Sequence, residues 1–235
     1  MRVLLMNHAS LAQSEGGRLV RKWALALAAA GHDPRILLVD DGPSIGDSTE
    51  GVLVERVICR PGDATADLPF DLPRFVARHD ANVQHTFSTL SDQQLTRYRD
   101  RLRKRLDSLI DRFDPHVLHV QHIWVLGQLS LESGVPYVLN AWPDELLEYD
   151  RDPRYQALAD QAAENAGRIL VPDEALSRQV VERFESATDR LLVMPRELVL
   201  DSVEPNKTSD SLLAVYQAVL DERFGRRPRS SRGCG

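Results

Sequence analysis

Two histidines stand where apolar runs of the chain come to an end. His8 follows the run RVLLMN, and His122 follows HVLHVQ. A neutral imidazole at the end of a buried strand can orient or deprotonate a hydroxyl group, as a general base does. We therefore take His122, which is close to Trp124 in sequence, as the candidate catalytic residue. His119, inside the second run, is equally consistent with a buried histidine bonded to the backbone.

The spacing of these histidines does not predict a metal site. His119 and His122 are three residues apart at the end of a predicted strand, so their side chains should point to opposite faces. No cysteine or carboxylate completes a set of ligands. We predict neither a metal nor an organic cofactor.

A glycine pair, Gly16 and Gly17, follows the first apolar run and precedes a helical pattern. Glycine lets the backbone approach a ligand closely at a helix N-terminus, which suits a phosphate or a sugar hydroxyl. The sequence EGG is not the GxGxxG motif, and no acidic residue follows at ribose spacing. A tight turn without ligand contact is therefore the alternative reading of this pair.

The elements that must position these residues alternate along the chain. Strand-like runs are RVLLM, DPRILLVD, GVLVERVI, HVLHVQ, PYVLNA, RILVP and RLLVMP. Helical patterns cover about 18–30, 92–113, 126–133, 155–166, 174–184 and 211–224. This alternation predicts an α/β fold, a doubly wound Rossmann-like parallel sheet with helices on both faces.

In such a sheet, ligands bind beyond the carboxyl ends of the strands. The loops after the first, fourth and fifth runs should therefore converge on one crevice. The substrate-binding candidates that these loops supply, besides His122, are Asn7, His8, Gly16, Gly17, Trp124, Trp142 and Asp144. His79 lies in the irregular segment RFVARHDANVQHTFSTLSD and is a candidate cover for the crevice, because long loops inside a domain are usually functional or mobile.

Composition narrows the class of protein. The chain has 235 residues, of which 43% are hydrophobic and 27% charged, and a net charge of −6. These values are typical of a globular protein and argue against a nucleic-acid partner. Cys59 and Cys234 suit a reducing compartment, and no apolar run has membrane length. We expect a cytoplasmic protein without a membrane span, with a disordered basic tail at 226–235.

Three segments carry a resemblance to a known family: residues 1–41, 113–147 and 166–184. Over roughly residues 1–205 the chain resembles the N-terminal domain of family 4 glycosyltransferases of the GT-B fold. The resemblance implies a retaining transferase whose two Rossmann-like domains face each other across a cleft. It also implies that this domain binds the acceptor and that Gly16 and Gly17 lie against the donor phosphates. Family members often have His-x-His-His at 119–122, and Gln121 departs from that pattern.

The C-terminal part departs further from the family. In such enzymes a segment like RLLVMP is followed by the donor-binding domain and then by a helix that returns to the first domain. Residues 211–225, SLLAVYQAVLDERFG, resemble that helix. The resemblance implies that the donor domain is absent between about Pro205 and Ser209, leaving an N-terminal domain at 1–205 and a packed helix at 206–225. A capping helix of unrelated origin is the alternative.

Three functional hypotheses follow from the resemblance. The chain is the acceptor-binding half of a glycosyltransferase, a non-catalytic descendant that binds a sugar or a protein, or a free-standing transferase with an unusual donor site. The first requires a separate chain with a donor domain. The partners we expect are such a chain or, in a homo-oligomer, a second copy of this one, and a sugar or glycosylated small molecule as acceptor. The third must replace the donor-phosphate contacts on which retaining transfer depends in this fold.

Overall fold

The strand-like runs of the sequence form one sheet. A computed structural model of the chain describes residues 1–11, 14–42, 48–75, 85–199 and 204–225. The strands are β1 (Arg2–Asn7), β2 (Asp33–Asp40), β3 (Ser48–Thr49), β4 (Val52–Ile58), β5 (Val117–Gln121), β6 (Tyr137–Asn140), β7 (Arg168–Val171) and β8 (Leu191–Val193).

Helices connect most of these strands. They are α1 (Glu15–Ala29), α2 (Asp92–Phe113), α3 (Leu126–Ser133), α4 (Pro143–Arg151), α5 (Pro153–Asn165), α6 (Glu174–Arg183), α7 (Arg196–Val199) and α8 (Pro205–Gly225). Short 3-10 helices occupy Phe87–Thr89 and Glu185–Arg190. No helix within the described ranges combines the length and the hydropathy needed to cross a bilayer.

The sheet has the order β3-β4-β2-β1-β5-β6-β7-β8 in the described part of the chain. Neighbouring strands are parallel, except that the short edge strand β3 runs antiparallel to β4. Buried side chains of α1, α7 and α8 cover one face, and those of α2, α3, α5 and α6 cover the other. The predicted fold class, a doubly wound Rossmann-like parallel sheet, is confirmed.

Local sequence signals account for the clearest helices. Ser91 caps α2 by accepting a hydrogen bond from Gln94 N at 3.2 Å, and the side chain of Gln94 reaches back to Ser91 N. The apolar stripe of α2, from Leu95 to Phe113, is buried against the sheet. The predicted bounds of α2 and α3, 92–113 and 126–133, agree with the structure.

Other predicted bounds were wrong. The helix predicted from about Arg18 begins at Glu15, because Ser14 Oγ accepts from Gly17 N at 2.9 Å and so caps an earlier first turn. Gly16 and Gly17 therefore belong to α1 and not to the loop before it. The short helices α4 and α7 and the strand β3 were not predicted. The periodic pattern at 211–224 covers only part of α8, whose bounds, Pro205–Gly225, lie within one residue of the predicted helical segment 206–225.

The last helix packs on the same face of the sheet as α1. Leu212, Val215, Tyr216 and Val219 of α8 are buried in a cluster with the apolar side of α1. Val219 lies so close to Gly167 that a Cβ atom built on that glycine would be 2.4 Å from Val219 Cγ1. The absence of a side chain at Gly167 thus allows α8 to approach the start of β7.

Candidate functional site

The direction of strand order reverses between β1 and β5, which is where a doubly wound sheet opens a crevice. These strands are paired in register, with Met6 opposite Val120, so both end at the same edge. Their last residues are Asn7 and Gln121. His8 and His122 come directly after them, and the centroids of their rings are 5.6 Å apart. The topology therefore brings the two predicted histidines together.

His8 is almost fully buried and is fixed by one side-chain hydrogen bond. Its Nδ1 and the hydroxyl of Tyr98 on α2 are 2.6 Å apart. Burial lowers the pKa of His8 to about 3, so the ring is neutral at physiological pH. Within the described residues its Nε2 is buried without a hydrogen-bond partner.

His122 occupies an unusual backbone conformation, with a φ of 84°. A non-glycine residue in the left-handed region stores about 1–3 kcal/mol of strain and is often found at functional sites. The ring stacks on Phe75 with centroids 4.1 Å apart. Burial, together with the neighbouring His8, holds the pKa of His122 well below its usual value. The group is therefore a neutral imidazole, the form that can accept a proton.

Aromatic side chains surround this histidine pair. Trp124, one of the predicted site residues, is fully buried and stacks on Tyr155 at 3.9 Å between centroids. Its ring also meets the edge of Phe87 at 4.8 Å. The structure thus places Trp124 in the core beside the pair. Its indole N–H is buried and has no acceptor among the described residues.

A buried polar network lies beside the aromatic cluster and centres on Gln121. Its Oε1 accepts hydrogen bonds from Asn140 Nδ2 at 3.0 Å and from Trp142 Nε1 at 3.1 Å. Asn140 Oδ1 is 2.9 Å from His119 Nε2, and the other ring nitrogen of His119 is 2.7 Å from the hydroxyl of Tyr216 on α8. His119 is therefore a satisfied buried histidine bonded to side chains, not to the backbone.

The two glycines have different surroundings. A Cβ atom built on Gly16 would lie 3.4 Å from Gln121 Oε1 and 3.6 Å from Asn7 Oδ1. The first turn of α1 thus stands directly against the polar network. A Cβ atom on Gly17 would instead lie 2.2 Å from Ser10 O, inside its own loop. Gly17 is required for local packing, whereas Gly16 faces the candidate site.

Several polar atoms at this edge are buried without a partner in the described part of the chain. They are Asn7 Oδ1, Ser10 Oγ, Gln121 Nε2, His8 Nε2 and His122 Nδ1. Buried polar atoms are nearly always hydrogen-bonded in folded proteins, so a cluster of exceptions is a sign of a ligand site. The atoms include donors and acceptors of the kind that bind sugar hydroxyls.

Two carboxylates begin α4 at the same edge. Glu145 is fully buried and accepts hydrogen bonds from Ile123 N at 2.6 Å and Trp142 N at 2.8 Å, which fixes the turn after His122. Burial raises its pKa well above the usual value. Asp144, the predicted site residue, is partly buried, and burial followed by the nearby Glu15 raises its pKa.

The structure brings most predicted site residues to one edge, in two groups. His8, His122 and Trp124 belong to the aromatic cluster, while Asn7, Gly16 and Trp142 surround Gln121. His79 lies outside the described residues. Phe75 and Asn140 were not predicted. The polar end of the run PYVLN could have indicated Asn140, whereas Phe75 stands in a segment without periodicity.

Within the described ranges, no group of histidine, cysteine, aspartate and glutamate side chains could hold a metal ion. The neutral imidazoles and the amide groups at this edge can hold a hydroxyl-bearing ligand by hydrogen bonds.

The doubly wound sheet, with its switch point between β1 and β5, defines a Rossmann-like domain. Residues 15–197 match the model of the glycosyl transferase 4-like domain. The chain belongs to that family. No curated protein matches it in sequence.

Solved structures show the same fold. Sucrose-phosphate synthase from Thermosynechococcus elongatus has a TM-score of 0.60 and 13% identity over 83% of this chain, which spans 48% of the synthase. A second form of the same synthase has a TM-score of 0.57 and 12% identity, over 92% of this chain and 98% of that form. UDP-GlcNAc 2-epimerase from Methanocaldococcus jannaschii has a TM-score of 0.50 and 9% identity, over 93% of this chain and 49% of the epimerase.

Proposed function

We propose that this chain is the acceptor-binding half of a retaining GT-B glycosyltransferase and that a separate chain supplies the donor-binding half. The observation that carries the proposal is the position of α8. Only residues 200–204 separate α7 from α8, which packs on α1 and bonds to His119 of β5 through Tyr216. Five residues are too few to form a second domain, so α8 follows the first domain directly, as a retained returning helix would.

The similarity in fold supports this arrangement. The synthase form with a TM-score of 0.57 matches 92% of this chain and is itself covered over 98% of its length. The full-length synthase is covered over only 48%, and this difference agrees with one half of a two-domain enzyme.

In this proposal the switch-point edge binds the acceptor. His122 orients or deprotonates the acceptor hydroxyl, and Asn7, His8, Trp142 and Asp144 belong to the surface that holds the sugar or glycosylated small molecule. The first turn of α1 faces the donor phosphates through Gly16, where the positive end of a helix dipole favours an anion, and Gly17 shapes the loop before it by packing on Ser10 O. The donor domain comes from another chain.

One observation favours a second function. Phe75 stacks on His122, and His8 and His122 expose only 2% and 8% of their surface. A base that must meet a hydroxyl should be more accessible. The alternative is therefore a non-catalytic descendant that binds a sugar or a protein and acts as a regulatory or scaffold subunit.

Calorimetry of the purified chain against UDP-glucose and other common nucleotide sugars tests the proposal. The chain alone should bind them with millimolar affinity or weaker, equivalent to about 4 kcal/mol, because it provides one side of the cleft. Repeating the titration with co-purified partner chains should reveal tighter binding. His122→Ala should then abolish transfer without loss of assembly. His116→Ala, an exposed histidine before β5, is the matched control.

The outcomes separate the hypotheses. Micromolar binding of a nucleotide sugar by the isolated chain would refute the half-enzyme and favour a free-standing transferase. Assembly with a partner but without sugar binding or transfer in any combination would favour the scaffold. Equal activity of His122→Ala and His116→Ala would remove His122 from the mechanism while leaving the half-enzyme intact.

A further inference from the structure

A separate cavity lies along β4, away from the candidate site. Its volume is about 570 Å³, and its walls come from β2, β4, the segment around Thr65 and the second half of α2. Cavities of roughly 300–1,000 Å³ are the usual size of small-molecule sites. In the sheet order, β2 and β1 lie between β4 and β5, so β4 is roughly 14 Å from β5. The cavity shares no residue with the switch-point site.

The charged lining of this cavity is mainly cationic. Its charged side chains are Arg35, Arg56, Arg105, Arg112, Glu55 and Asp67. Four guanidinium groups against two carboxylates leave two net positive charges. Two further charged side chains lie just behind the lining: Asp40 pairs with Arg56, and Arg101 pairs with Asp67. The negative charge of Asp40 and the positive charge of Arg101 cancel, so the excess remains two positive charges. The excess charge matches that of a phosphate dianion.

The two carboxylates hold the arginines of α2 in place. Glu55 Oε2 is 3.3 Å from Arg105 Nη1, and Glu55 Oε1 is 3.1 Å from Arg112 Nη2. Asp67 lies 3.7 Å from the other terminal nitrogen of Arg105. A guanidinium group fixed by one acceptor still has further N–H groups to offer, since arginine carries five. The pairs therefore orient the cations without using all of their donors.

Arg35 differs from the other three arginines. Its guanidinium carbon stands 4.2 Å from the centre of the Phe113 ring, and no carboxylate in the described residues pairs with it. Its Nε is buried without an acceptor there. A buried donor without a partner is costly, and an incoming oxyanion would satisfy it. Planar guanidinium groups bind phosphate through two parallel hydrogen bonds.

We propose that the cavity formed by Arg35, Arg105 and Arg112 beside β4 is a binding site for the phosphate group of a small phosphorylated molecule. Its volume admits a ligand larger than free phosphate. Because it is separate from the switch-point edge, the site can be occupied whether or not the acceptor site is filled.

Calorimetry of the full chain at low ionic strength tests this site with glucose 6-phosphate, inorganic phosphate and glucose. Glucose 6-phosphate should bind and glucose should not. Arg35→Gln and Arg112→Gln should each weaken binding at least about tenfold, as loss of a charge-assisted hydrogen bond predicts. Arg97→Gln, on the exposed side of α2, is the matched control for charge and should leave binding unchanged. Circular dichroism verifies that each variant is folded.

The outcomes distinguish phosphate binding in the cavity from nonspecific attraction of phosphate to the cationic surface of α2. No binding of either phosphate compound to the wild-type chain would overturn the proposal. Equal weakening by Arg97→Gln would also overturn it, because the attraction would then belong to the helix surface as a whole. Comparable affinity for inorganic phosphate and glucose 6-phosphate would support a site for the dianion itself, and a clear preference for glucose 6-phosphate would support one for a sugar phosphate. Since Arg112 is half-exposed, Arg112→Gln keeps the test valid even if Arg35→Gln fails to fold.

Discussion

Gly16 and Gly17 are adjacent at the start of α1 but have different packing environments. Gly16 faces the amides of Asn7 and Gln121 at ordinary contact distance, whereas Gly17 lies against Ser10 O, where a Cβ atom would approach to 2.2 Å. Gly17→Ala should therefore destabilise the fold by about 2–4 kcal/mol, because the clash is with backbone. Gly16→Ala should change stability by less than about 1 kcal/mol. Urea unfolding of both variants measures the difference, and equal losses would contradict it.

The burial of His119 predicts how the unfolding free energy depends on pH. Burial lowers its pKa to about 4, against a hydrogen bond to Asn140 that raises it. Since an unfolded histidine has a pKa of about 6.5, the stability contributed by the neutral folded ring is complete above that pH. It is lost as the pH falls from about 6.5 towards 4, because the unfolded state then binds the proton first.

His119→Gln should remove this dependence. The difference in unfolding free energy between the wild-type and variant proteins should change by about 1.4 kcal/mol per pH unit within that window. Urea titrations at about pH 7, 6 and 5 provide the measurement. The comparison cancels the contributions of His8, His122 and Glu145, which both proteins share. Curves that stay parallel over this range would show that His119 does not titrate with unfolding.

At the scale of elements, α8 is held by shape as well as by the Tyr216–His119 bond. Gly167 leaves space for the branched side chain of Val219. Gly167→Ala alone should destabilise the protein by about 1–3 kcal/mol through overpacking, and Val219→Ala alone by about 1–2 kcal/mol through the lost methyl groups. In the double variant the new methyl group fits the space that the valine side chain vacates. The double variant should therefore lose less unfolding free energy than the two single variants lose together.

A double-mutant cycle by chemical denaturation checks this coupling between α8 and the start of β7. Strictly additive losses would mean that α8 shifts freely at this contact. Hydrogen exchange of α8 amides gives an independent measure, because a loosened helix opens locally before the sheet does. Slow exchange in Gly167→Ala would count against the prediction.

At the scale of the whole molecule, the sheet needs a covered surface on both sides. One buried cluster involves α2, α3, α5 and α6, and the other involves α1, α7 and α8. Deleting 205–225 would uncover the apolar side of α1 and with it Trp23, Val138 and Leu170 of the second cluster. We expect such a variant to bind a hydrophobic dye and to associate in gel filtration, since large exposed apolar patches cause association. A folded monomer would show that α8 is only an added cap.

Whole-molecule topology also explains why the candidate site and the phosphate cavity are distinct. The switch point lies between β1 and β5, in the middle of the sheet, and the cavity lies along β4, close to one edge. A ligand in the cavity would contact α2, which also carries Tyr98, the partner of His8. Helix α2 thus contributes side chains to both places.

The amino-acid sequence by itself determined the features that depend on neighbouring residues. Periodicity and capping residues are local, so the alternation of strands and helices, the bounds of α2 and α3 and the α/β class could be predicted. The rule that ligands lie beyond strand ends then predicted that His8 and His122 would meet, because parallel strands end at one edge. The apolar face of α8 was also legible in its helical pattern.

Only the tertiary structure decided which side chains share a site. Phe75 reaches His122 from a segment without periodicity, and Tyr98 reaches His8 from a position that the sequence marks only as part of an apolar stripe. The opposite surroundings of Gly16 and Gly17 arise from loop packing, and the bond between Tyr216 and His119 joins residues 97 positions apart. Such contacts depend on the closure of the whole sheet, and no local pattern encodes which distant partners will meet.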